Sequence, residues 1–72
     1  KTKIMKKAGF FIDPRDLREA AEDLIARGFQ SVETNDSHFE PMISFVGEEE
    51  DIEDWGDYNQ FGITNDDLII FT

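Results

Sequence analysis

The apolar residues of this chain recur first at every second position and then at every third or fourth. Residues 3–12 end in Gly9-Phe10-Phe11-Ile12, and the period-2 rule turns Phe10 and Ile12 to one face of a predicted first strand. Beyond it Leu17, Ala20, Ala21, Leu24 and Ile25 follow helical spacing, which predicts an amphipathic helix over 14–27 with its apolar stripe on a sheet. The end signals agree with that span. Asp13 suits the N-cap, Pro14 the first helical position, Asp16 the capping-box position and Gly28 a left-handed C-cap. Arg15 with Glu19, Arg18 with Glu22 and Asp23 with Arg27 stand four apart on the other face. Such pairs mark a solvated surface, worth roughly 0.2–0.5 kcal/mol each, and carry no functional signal.

After the helix, residues 29–34 predict a short second strand, 35–41 a turn or loop, 42–46 a third strand ended by Gly47, and 67–72 a last strand. Residues 48–63 fit neither period cleanly. Ile52, Trp55 and Asn59 are helically spaced, but a glycine such as Gly56 in a helix interior costs about 1 kcal/mol relative to Ala, so a short helix and an ordered loop both stay open. The order β-α-β-β-(short α or loop)-β defines an α+β fold, one amphipathic helix packed on a small, mainly antiparallel sheet. A full second helix makes it a small ferredoxin-like split βαβ arrangement.

A chain of 72 residues supplies one core, so residues 1–72 are expected to form a single domain. Domains of this size bury roughly 60% of the surface of their unfolded chains, which leaves little room for a deep catalytic cleft. There is no cysteine, hence neither disulfides nor a thiolate zinc site to support so small a core. The longest apolar run, 68–71, is far short of the roughly 20 residues of a membrane span, and the lysine-rich start lacks the apolar stretch of a signal peptide. The expected location is cytoplasmic, with no membrane partner.

Charge changes the picture most. The net charge is −10, and every lysine and arginine lies within residues 1–27, so the chain from Gln30 onward carries acids alone. That half repels nucleic acids and anionic membranes and favours basic partners. Its densest part is the block Glu48, Glu49, Glu50, Asp51, Glu53, Asp54 and Asp57. As a helix these residues approach one charge per roughly 2 Å, near the density of duplex DNA at about 1.7 Å. Trp55, Tyr58 and Phe61 interleave with the acids at three-residue intervals and supply anchors of the type that dominate interface energies. Phe61 is expected in the core and Tyr58 outside it, with Trp55 suited to either; only exposure of Trp55 or Tyr58 supports an interface. The bland alternative is a solvated loop that keeps the protein soluble.

Other chemistry finds less support. An EF-hand reading that starts at Asp51 puts Gly56 correctly but places Trp55 and Gly62 where ligands are required, so no metal or other cofactor is expected. His38, flanked by Asp36 and Glu40, is the lone histidine and reads as a surface residue. The serines and threonines have no second histidine and no glycine-rich elbow near them, and an enzyme is not expected. The leading expectation is a small acidic inhibitor or regulator that blocks the basic, nucleic-acid-binding surface of a partner protein in the manner of a DNA mimic, an economy that suits a phage counter-defence protein. Its expected contact residues are Glu48, Glu49, Glu50, Asp51, Glu53, Asp54, Trp55, Asp57 and Tyr58. The alternatives are an immunity or antitoxin-like protein that neutralises a nuclease toxin, and a structural domain that self-associates through its sheet.

Overall fold

The computed structural model of the protein describes residues 4–36 and 41–71. The elements run β1 (Met5–Phe11), α1 (Leu17–Ala26), β2 (Gln30–Asn35), β3 (Met42–Glu48), α2 (Glu49–Tyr58) and β4 (Ile69–Phe71). All three ladders are antiparallel and the sheet order is β2-β3-β1-β4. β1 and β2 are therefore parallel with β3 between them, and β3 and β4 are parallel with β1 between them. Two split βαβ units interlock, the ferredoxin-like arrangement that a full second helix implies.

Alternation along β1 and β3 divides the sheet into two faces. Ala8, Phe10, Ile43 and Phe45 turn inward and are fully buried beneath the helices, while Met5, Lys7, Gly9 and Phe11 turn the other way. Ala20 and Leu24 of α1 and Ile52 and Trp55 of α2 close the core from above. Aromatic rings fill its centre: Phe10 lies 5.0 Å from Trp55 and 6.1 Å from Phe45 between centroids, and Phe45 meets Phe29 edge-on at 5.0 Å. Such pairs add about 0.5–1.5 kcal/mol beyond their buried area.

Several elements depart from the expected boundaries. Regular α1 begins at Leu17 because residues 13–16 form a tighter turn, in which the Asp16 N–H bonds the Asp13 carbonyl and the Leu17 N–H that of Pro14. Asp13 does cap that turn, its Oδ1 accepting the Arg15 N–H at 2.9 Å, but Asp16 does not reach back to complete a capping box. Arg15 pairs with Asp13 instead of Glu19, and this bond holds the Asp13 carboxyl below its ordinary range. The pairs Arg18–Glu22 and Arg27–Asp23 form as spaced. Ile25, at the margin of the α1 stripe, is left 61% exposed. Gly28 takes the left-handed conformation foreseen for it, at φ 92°.

Gly47 does not end β3. It pairs with Lys6 inside the strand, and the Phe29 ring occupies the space where a side chain would stand. β2 carries a bulge: Gln30 and Glu33 face Val46 and Ser44, so three steps on one strand match two on the other, and Ser31 absorbs the extra residue at φ 50°. The last strand is only three residues long, because Asp67, expected within it, belongs to a turn in which its N–H bonds the Thr64 carbonyl and the Leu68 N–H that of Asn65. His38 and Glu40 lie outside the described residues. No helix among those described is long and apolar enough to cross a membrane.

Candidate functional site

Residues 49–58, for which helix and loop were both open, form a ten-residue helix that follows β3 without a linker. The sequence permits this because three acids, Glu49, Glu50 and Asp51, occupy the first turn, where the helix dipole favours negative charge. The Glu49 N–H, one of the donors a helix start leaves unpaired, bonds the Ile4 carbonyl at 3.0 Å.

Helical geometry then sorts the block into two faces. Ile52, Trp55 and Gly56 turn to the core, and Glu50, Glu53, Asp54, Asp57 and Tyr58 turn to solvent with Glu49 and Asp51 at the flanks. Trp55 is 2% exposed, so its expected role as a partner contact is corrected: one turn from Ile52 on the inner face, it packs between Phe10 and Phe45 and stacks on Phe61 at 6.5 Å. Its indole Nε1–H donates to Asp23 Oδ2 of α1 at 2.8 Å. Tyr58 is 79% exposed and stands beside Asp54, one helical turn earlier. Glu48 belongs to the end of β3, half-buried, apart from the helical face.

Two asparagines that the sequence reading passed over secure the far end of α2. Asn59 Oδ1 accepts the N–H groups of Phe61 and Ile63, and its Nδ2 donates to the carbonyls of Trp55 and Ile63. Asn65 Nδ2 donates to Asp57 Oδ1 at 2.8 Å and to the Glu53 carbonyl at 3.3 Å. The first bond offsets an acid in the last helical turn, where the dipole opposes it. Gly56 leaves room for this side chain: a Cβ on it would run into the Asn65 amide, which would have to move. The helical spacing of Asn59 after Ile52 and Trp55, and the turn composition Thr64-Asn65-Asp66-Asp67, were the available signals.

The outcome is one helix face lined with carboxylates that make no ion pair among the described residues. Glu49–Glu53, Glu50–Asp54 and Glu53–Asp57 are like-charge pairs four apart, each destabilising by roughly 0.2–0.5 kcal/mol. The acids of α1 differ, since Glu22 and Asp23 are matched by Arg18 and Arg27. Along the flank of α2 facing β4 runs an open groove of about 300 Å³. Ile52, Leu68 and Ile70 floor it, and Glu49, Glu53, Asn65 and Lys6 form its rim. Among the described residues no group of three or more acidic, histidine or cysteine side chains is arranged to hold a metal ion.

No known protein family, no curated protein and no solved structure matches this chain.

Proposed function

We propose that the protein is a small acidic inhibitor or regulator that presents α2 to the basic, nucleic-acid-binding surface of another protein. The observation that carries this reading is the outward face of α2, with six carboxylates in a ten-residue helix about 15 Å long and no ion pair among the described residues. That is about one charge per 2.5 Å, approaching duplex DNA at about 1.7 Å. Solubility is a weaker explanation, because a net charge of about 2–8 suffices for a small domain and this chain carries −10. Concentrating the excess on one helix face destabilises the fold, and a partner bearing lysines and arginines would recover that energy on binding.

Tyr58 beside Asp54 adds an aromatic anchor to the charged face, and the groove between α2 and β4 offers an apolar seat next to Glu49 and Glu53. Charge then steers the encounter, while the anchors set how long the complex lasts.

The test is a comparison of the tagged protein with its Glu50→Lys/Asp54→Lys variant in capture from a cell lysate, with elution by salt and, separately, by duplex DNA. The expected result is a nucleic-acid-binding protein held by the first, released by duplex DNA, and not held by the variant. Equal capture by both, with the fold of the variant intact by circular dichroism, overturns the reading.

A further inference from the structure

The two edges of the sheet are finished differently. β2, at one edge, carries the bulge at Ser31 and the charge of Glu33, two of the devices that keep an edge from pairing with another chain. β4, at the other edge, has neither. Ile69, Ile70 and Phe71 are apolar, in unbroken register with β1 and 39%, 44% and 40% exposed. Among the described residues β4 pairs with β1 alone, so its outer side presents N–H and C=O groups that another extended backbone can satisfy. Only the shortness of the strand limits such pairing, and the groove beside it supplies further contacts.

That groove lies on the helix side of the sheet, where Ile70 opposite Ala8 joins Ile52 and Leu68 in an apolar floor. Glu49 and Glu53, one helical turn apart, stand on the α2 rim and make no ion pair among the described residues. Lys6 is the one cation that lines it.

We infer that β4 is a docking edge for an extended segment of a basic partner, which adds to the sheet as a fifth strand and lays an arginine side chain in the groove. The unpaired edge selects main chain in the β conformation. The groove selects the side chain: a methylene stem covers Ile52, Leu68 and Ile70, and the guanidinium at its end reaches Glu49 and Glu53. At about 300 Å³ the space is at the lower limit of ligand sites, room for a long side chain and not for a folded element. The next residue of the segment points to the opposite face, beside Ile69 and Phe71, and is apolar.

Charge decides against other strands. Pairing of β4 with β4 of a second copy brings two α2 flanks, each with Glu49 and Glu53, to one seam, and pairing with its β2 brings Glu33. Both set like charges together in chains that already carry −10. The cationic character of the partner rests on the function proposed above, whereas the docking edge itself uses neither Glu50 nor Asp54.

A synthetic peptide of alternating valine and arginine is the probe, followed through amide shifts of the isotope-labelled protein in about 0.15 M salt. Saturable shifts are expected at residues 69–71 and along 49–53. A valine-glutamate peptide should not bind. N-methylation of every peptide amide, which blocks ladder bonds and keeps the charge, should weaken binding about tenfold or more, as should Glu49→Gln/Glu53→Gln at two exposed positions. Absence of saturable shifts at β4, shifts confined to residues 50, 54 and 57, or equal binding by the N-methylated peptide overturns the inference. Binding of the peptide at β4 without capture of a nucleic-acid-binding protein from lysate keeps the docking edge and removes the partner class proposed above; capture without peptide binding does the reverse.

Discussion

The indole N–H of Trp55 is bonded to the carboxylate of Asp23, 32 positions earlier, and this single contact ties the second helix to the first above the sheet. Asp23 Oδ2 also accepts Arg27 Nε at 2.9 Å, so one oxygen serves both helices. Asp23→Ala leaves a buried donor unpaired and should lower stability by about 1–3 kcal/mol, whereas Trp55→Phe keeps much of the ring packing, removes the donor along with its need and should cost less than Asp23→Ala through this bond. Urea denaturation followed by far-ultraviolet circular dichroism reads both. Equal stability of Asp23→Ala and the unaltered protein would mean that the indole finds water instead.

Gly56 should show a reversal of sign. Alanine is about 1 kcal/mol better than glycine inside a helix, yet Gly56→Ala must displace Asn65 and break its bonds to Asp57 and the Glu53 carbonyl. The substitution is expected to destabilise the natural chain and to stabilise an Asn65→Ala background. A double-mutant cycle in urea measures the coupling, and additivity would show that Asn65 and Gly56 do not contend for the same space.

Asn59→Ala should loosen the segment that follows α2 without unfolding the sheet. The Phe61 and Ile63 N–H groups lose their acceptor, at an expected cost of about 1–3 kcal/mol. Hydrogen exchange supplies the check: these two amides should exchange faster in the variant while those of β1 and β3 keep their protection. Unchanged exchange at Phe61 and Ile63 would contradict the role given to Asn59.

Glu53 takes part in two of the three like-charge pairs that stand four apart on α2, with Glu49 and Asp57. Glu53→Gln should therefore stabilise the protein by about 0.4–1 kcal/mol and reduce the gain in stability that added salt brings to the unaltered chain. Urea midpoints at low and high salt test this. A loss of stability in the variant would show that the acidic face is not under repulsion.

How far the sequence reached depended on the range of the interaction that decided each feature. The first strand, the helix after it, the order of the elements and the acidity of residues 48–57 were legible, because alternation, capping residues and charge act between near neighbours. A charged block can be seen without a fold, but its two faces cannot. Trp55 became a core residue only because α2 is a full helix, which places it one turn from Ile52 and over Phe10. The glycines misled for the same reason: Gly47 reads as a strand end until Phe29 is found lying on it, and Gly56 as a helix defect until Asn65 is found against it. By itself the sequence determined which elements form and where the negative charge gathers, since those follow from local spacing and composition. Only the tertiary structure decided which side chains are spent on the core, which carboxylates stand on the outer helix face without an ion pair among the described residues, and which face of the sheet the helices leave open. Each of these depends on contacts between residues far apart in the chain.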